Sequence, residues 1–378
     1  MNICFIFPQI HNHNNERHLR NIFNIENYNI DYLFTESHNK PSHQQKVLNN
    51  YYIKHNNIKH NNIKFLTDDL DNIIDTLNKY DIILMCVFPF ISEYINEKFN
   101  DRIEKRINKN IIKIYIHHGL YKVFDIDQLV NKKKGDRVIR TFDNRSPLLN
   151  RFKYKIVTCC ENYQKLLFNS NFRKTNIIKT NSLPQFDLNN YLYNKVKKRE
   201  NEIIIFIGET VEQIKDNIIF KLIDVIRKIY PDKKIFIKIK FTTNIKNFEK
   251  YLISNYKNIE LLSHDKYLGD YLKCFLCIIT GGGTSFFENI NFNKKTILFQ
   301  YKINSFDKTL FFKYPDIFNK LPICDNLENI EKIIKNIEHD TYFDNNYYND
   351  IKKLNNFHIG HEKIMNFKYE FINFLKKI

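Results

Sequence analysis

Hydrophobic and polar positions follow two alternating rhythms along this chain. Short apolar runs, rich in Ile, recur at residues 2–7, 31–35, 63–67, 81–87, 111–116, 155–160 and 176–180. Runs of this length with little internal alternation read as strands buried on both faces. Between them, stretches such as 69–79 and 91–107 carry apolar residues at helical spacing. Strands interleaved with helices predict an α/β fold with a mainly parallel sheet covered on both sides. A polar, charged segment at 189–201, with Lys195, Lys197, Lys198 and Arg199, interrupts the series and reads as a linker. A second series follows, with strands at 202–207, 234–239, 259–262, 275–280 and 296–300 and a helix at 211–229. From about residue 327 the pattern is helical. In the last segment Ile364, Phe367, Phe371, Phe374 and Leu375 recur at helical spacing. A terminal helix returning to a domain junction would cover that face; peripheral membrane contact is the alternative for the same basic-aromatic stripe. The expected layout is an N-terminal domain over 1–188, a linker over 189–201, a C-terminal domain over 202–360 and a terminal helix over 361–378.

The length of 378 residues suits two domains of ordinary size. The chain has no alanine or tryptophan and is crowded with Ile, Asn, Lys, Tyr and Phe, the residues of AT-rich codons. Helices must then be built from Ile, Leu, Lys, Glu and Asn, so propensity carries little information. The net charge of +17 favours polyanions, acidic membrane surfaces or phosphorylated substrates. The basic residues are dispersed, and the run Lys132-Lys133-Lys134 reads as a solvated loop. With no zinc spacing, RNP motif or basic arm, nucleic acid is not an expected partner. The repeated pentapeptide Ile-Lys-His-Asn-Asn at 53–57 and 58–62 reads as a surface-loop duplication rather than a metal site. Seven cysteines show no disulfide framework, and Cys274 and Cys277 form a lone CxxC inside an expected strand. Reduced, buried thiols in a cytoplasmic protein are the expectation. There is no signal-peptide pattern and no apolar stretch long enough to span a bilayer.

Chemistry concentrates in Thr280-Gly281-Gly282-Gly283-Thr284-Ser285-Phe286-Phe287-Glu288. An apolar strand precedes it and a helix is expected at 286–292. A glycine turn between strand and helix lets backbone amides approach an anion, and the helix N-terminus adds positive potential. The turn matches neither the dinucleotide fingerprint nor the P-loop. Ser285 and Glu288 also form a capping box, which needs only to start a helix. Both readings stand on the local sequence.

Three further segments sharpen the picture. Ile116-His117-His118-Gly119-Leu120 resembles the strand-end His-Gly of the CDP-glycerol glycerophosphotransferase and capsule-polysaccharide transferase families. Ser182-Leu183-Pro184-Gln185-Phe186-Asp187 resembles their GxPRxD segment, and 281–288 followed by Lys294-Lys295-Thr296-Ile297-Leu298 resembles their GSTSxxE…KPxI donor segment. The order and spacing agree over roughly 110–300. Departures are Ser182 for the glycine, Gln185 for the arginine, Lys295 for the proline, and Lys238-Ile239-Lys240-Phe241 where the families carry Lys-x-His-Pro.

The resemblance implies a GT-B architecture of two Rossmann-like domains with a cleft between them, the second holding a nucleotide-activated donor. It implies a metal-independent glycosyltransferase with no cofactor beyond its donor, acting on a glycan or lipid-linked acceptor. A CDP-glycerol-type polyol-phosphate transferase is the alternative. A non-catalytic scaffold and a UDP-GlcNAc 2-epimerase-like enzyme are further ones, although His118 is followed directly by Gly119 and the epimerase His-x-Glu-x-Gly is absent. The expected donor-binding residues are Gly208, Glu209, Lys238, Lys240, Gly281, Gly282, Gly283, Thr284, Ser285 and Glu288. The resemblance places Glu288 on the ribose hydroxyls. His118 is the candidate base, since imidazole accepts a hydroxyl proton near neutral pH; a structural histidine bonded to backbone is the other reading.

Overall fold

The structure, a computed structural model, describes residues 1–7, 19, 28, 30–35, 63–66, 69–85, 97–116, 153–158, 176–180, 194–207, 217–239, 246–262, 271, 273–280, 289–290, 295–299, 321–337, 343–350, 353 and 367–378. The chain divides into two compact units: Met1–Gly119 and Ile126–Leu188 with Ile359–Ile378, and Leu120–Asp125 with Asn189–His358.

In the first unit, β1 (Ile3–Phe7), β2 (Ile30–Thr35), β3 (Ile63–Leu66), β4 (Ile82–Met85), β5 (Ile112–Ile116), β6 (Lys155–Thr158) and β7 (Ile177–Lys179) form one sheet. Their order is β3-β2-β1-β4-β5-β6-β7, and every pairing is parallel. In the second unit, β8 (Arg199–Ile207), β9 (Lys234–Ile239), β10 (Ile259–Leu261), β11 (Cys274–Thr280), β12 (Thr296–Phe299) and β13 (Ile323–Cys324) form another. Its order is β10-β9-β8-β11-β12-β13, again parallel throughout. Parallel neighbours need crossover connections, and these cover both faces of a sheet. The central strands are apolar accordingly: all four residues of β4 and all four of β12 are buried.

The helices follow the same logic. In α1 (Leu70–Leu77), Asp69 caps the N-terminus by accepting from the Asp71 amide, and Ile73, Ile74 and Leu77 form the buried stripe. The other helices are α2 (Glu97–Arg106), α3 (Ile218–Ile229), α4 (Lys246–Asn255), α5 (Leu327–Ile337) and α6 (Phe367–Leu375). The expected helix over 211–229 starts at Ile218, because Asn217 adopts a left-handed conformation with φ 55° that cannot continue a right-handed helix. Strand β8 begins at Arg199, inside the segment expected as linker. Arg199 is held there by pairing with Cys274, an ion pair to Glu202 and a place over the Tyr271 ring. The α3 end is fastened by Arg227, whose guanidinium donates to the carbonyls of Pro231, Lys233, Lys257 and Asn258.

Helix α6 is built into the core of the first unit. Phe367, Phe371, Ile372 and Leu375 join Ile3, Phe5, Ile82, Leu84, Ile114, Ile116, Val157 and Ile178. Phe367 and Phe371 stack at 5.1 Å, and Lys155 lies 5.7 Å from the centre of the half-buried Phe374 ring. The stripe that suggested membrane contact is therefore spent on the sheet: Phe367, Phe371 and Leu375 are buried. Among the described residues no helix is long and apolar enough to cross a membrane.

A polar knot lies at the opposite end of the first sheet from the strand carboxyl ends. Glu104 on α2 pairs with Lys113 on β5 and accepts from the Tyr154 hydroxyl at 2.6 Å. Burial first, and Glu104 second, push the Tyr154 phenol well above its ordinary 10.0. Tyr80, bonded to Asp31 at 2.6 Å, is raised for the same reasons. The unfolded phenols lose their protons near pH 10 while the folded ones keep theirs. Their contribution is thus complete below pH 10 and is lost as pH rises from there through the folded values. We expect the urea midpoint to fall between pH 9 and pH 11, and to fall less in Tyr154→Phe; an equal fall in both proteins contradicts the assignment.

Candidate functional site

In an open parallel sheet, ligands bind beyond the strand carboxyl ends where the strand order reverses. In the second unit that point lies between β8 and β11. Strand β8 leads leftward to β9 and β10, whereas β11 leads rightward to β12 and β13. The two strands are paired to their last residues, Ile207 opposite Thr280. Two of the three chain segments singled out for donor binding leave from this pair: Gly208-Glu209 follows Ile207, and Gly281 to Glu288 follows Thr280.

The last row across the sheet is Ile239, Ile207, Thr280, Phe299 and Cys324. All five are buried. Two carry polar atoms. The Cys324 thiol has the Leu298 carbonyl 3.8 Å away, and burial, with Asp325 beside it, pushes its pKa up to about 12. It stays a thiol near neutral pH, and the thiolate is the reactive form. The Thr280 hydroxyl is sealed from solvent and has no hydrogen-bond partner among the described residues.

One row back, Lys238 lies opposite Phe206; both are half-buried where the rest of the sheet centre is closed. Lys238 is the one expected site residue among the described residues, on β9 beside the switch-point strand. Gly208, Glu209, Lys240, Gly281, Gly282, Gly283, Thr284, Ser285 and Glu288 lie outside the described residues, as does His118, which follows the carboxyl end of β5 by two positions. Within the segment expected as a helix at 286–292, Asn289 and Ile290 are helical and buried; its other positions lie outside the described residues.

Cys4, Cys274, Cys277 and Cys324 are buried and not joined in disulfides. Cys274 and Cys277 lie on one strand, whose pairing with β8 shifts register between Cys274 and Leu276. Among the described residues no group of His, Cys, Asp and Glu could hold a metal ion. Sequence reasoning gave Thr280 no role of its own. Its signal was its place as the last strand residue before the glycines.

No family model matches the chain, and no curated protein matches it in sequence. Solved structures do match it in fold. The UDP-GlcNAc 2-epimerase of Neisseria meningitidis, bound to UDP-GlcNAc, is 14% identical with a TM-score of 0.59, over 100% of both chains. The wall teichoic acid polymerase TagF is 13% identical with a TM-score of 0.61, over 100% of this chain and 88% of that one. Anabaena Alr3699/HepE in complex with UDP and glucose is 12% identical with a TM-score of 0.51, over 100% of both. At these identities the likeness shows the fold, which is the GT-B type: α/β, with two Rossmann-like units, each built on a parallel sheet.

Proposed function

We propose that the second unit binds a nucleotide-activated donor beyond the carboxyl ends of β8 and β11, and that the protein transfers the activated sugar to a glycan or lipid-linked acceptor. The observation that carries this reading is the pairing of Ile207 with Thr280, which starts both glycine-bearing segments from adjacent strand ends at the switch point. A glycine turn there can present backbone amides to a diphosphate, and the following helix adds its positive end. Thr284 and Ser285 supply hydroxyls to the same anion, and Glu288 holds the ribose. Lys238 and Lys240 offset the charge that develops on the leaving nucleoside diphosphate. His118 takes the acceptor proton. Two of these fold relatives support the donor class, since they are described with UDP-GlcNAc and with UDP and glucose.

The likeness to TagF favours one second reading, transfer of a polyol phosphate from a CDP-activated donor. A melting-temperature panel with UDP-, GDP-, CDP- and CMP-linked donors separates the two. A ligand that binds the folded state alone stabilises it by about 2.7 kcal/mol at a hundred times its Kd. We expect one UDP- or GDP-sugar to raise the melting temperature of the wild type and to do nothing for Glu288→Ala. A response to a CDP-polyol alone would select the second reading. No response to any donor would overturn both.

A further inference from the structure

We propose that Thr280 is a ligand-linked positioning residue, whose hydroxyl completes its hydrogen bonding only when a nucleoside diphosphate occupies the switch point of the second sheet. This inference rests on the donor-binding reading above and adds to it a residue which that reading does not use.

Packing does not explain the hydroxyl. Thr280 is 0% exposed and its Oγ1 has no hydrogen-bond partner among the described residues. Its neighbours in the row, Ile207 and Phe299, are apolar, as are Ile278 and Leu276 further down its own face. Valine has the same shape and leaves nothing unpaired. A buried hydroxyl without a partner carries an uncompensated desolvation penalty, so a threonine here is unfavourable in the ligand-free chain.

Thr296 shows what such a hydroxyl looks like away from any site. It too is 0% exposed and without a partner, but it begins β12, opposite Cys277, at the far end of that strand from the carboxyl edge. Thr280 is the last residue of β11, paired with the last residue of β8, where the strand order reverses. Of these two threonine hydroxyls, the one at the carboxyl edge can be satisfied by what binding brings to that edge. The oxygen is sealed in the ligand-free chain, so it gains its hydrogen bond only as binding rearranges this strand end, and that bond then holds the end in the geometry of the bound form. The ligand class is set by the place: an anion with two linked phosphates, where a hydroxyl and backbone amides can share the charge.

The experiment pairs unliganded melting with calorimetric titration of UDP, GDP and CDP, on the wild type, Thr280→Val, Thr280→Ser and Thr296→Val. Loss of an unpaired buried hydroxyl should raise the unliganded melting temperature of both valine variants by about 2–6 °C. Affinity for the nucleoside diphosphate should fall about tenfold in Thr280→Val alone, equivalent to one hydrogen bond of about 1.4 kcal/mol, with Thr280→Ser close to the wild type. That opposition, more stable empty and weaker at binding, is a result a merely structural threonine does not produce. Wild-type affinity in Thr280→Val would overturn the proposal and leave the donor reading intact. A lower unliganded melting temperature in Thr280→Val would also overturn it, because the hydroxyl would then be satisfied without ligand. No binding of any nucleoside diphosphate to the wild type would remove the donor reading and the role of Thr280 with it.

Discussion

Phe371→Ala lowers the stability of the first unit by about 3–5 kcal/mol, the range for removing a large aromatic side chain from a packed core. The residue is 0% exposed and sits in one cluster with strand residues from β1, β4, β5, β6 and β7. Its ring stacks on Phe367 at an interplanar angle of 23°. The cavity left by alanine cannot close by moving the helix, because Phe367, Ile372 and Leu375 hold it against the same cluster. Phe367→Ala should cost a similar amount, and the double variant less than the sum, since the two rings share a contact. A domain is stable by about 5–15 kcal/mol in total, so the double variant should leave the first unit marginal. Urea denaturation followed by far-UV circular dichroism measures it, tryptophan fluorescence being excluded by the composition. A loss under 1 kcal/mol in Phe371→Ala would mean that α6 is not an integral part of that core.

Lys113→Met should cost about 3–5 kcal/mol for a different reason. The Glu104 and Lys113 side chains are 7% and 12% exposed, so each charge depends on the other. Removing the ammonium leaves a buried carboxylate with the Tyr154 hydroxyl as its remaining donor among the described bonds. Breaking one side of a buried pair is costly, while replacing the whole group by apolar residues of similar volume is often neutral. The triple variant Glu104→Leu, Lys113→Met, Tyr154→Phe should therefore recover most of the loss. Lys113 also lies 4.8 Å from the centre of the Tyr154 ring, a contact the methionine keeps in part. If the single variant matched the wild type in urea, the pair would be solvated in solution rather than sealed.

Both effects arise at places of different legibility. The stripe of Phe367, Phe371 and Leu375 was plain from periodicity, yet periodicity says that a face is covered and not by what. The Glu104–Lys113–Tyr154 group could not be read at all: its members are separated by 9 and 50 residues in their direct bonds, and nothing local marks them. Helix α4, with the sequence KNFEKYLISN, and the two-residue strand β13 escaped because each owes its form to packing more than to pattern. Strands β1, β5, β9 and β11 were legible within a residue or so, since an Ile-rich run bounded by polar residues has few other uses.

What the sequence determined by itself was therefore local: which segments are strands, that they alternate with helices, that two such series follow one another, and that glycines crowd one strand end. Strand order was decided by tertiary structure alone, because β8 and β11 meet across more than sixty intervening residues through hydrogen bonds that any apolar strand could make. That pairing put the Gly208 and Gly281 segments at one switch point, and sealed the Thr280 hydroxyl in a row of hydrocarbon where it finds no partner. Burial and register are properties of neighbours distant in sequence, and a sequence pattern cannot choose among neighbours that are equally apolar.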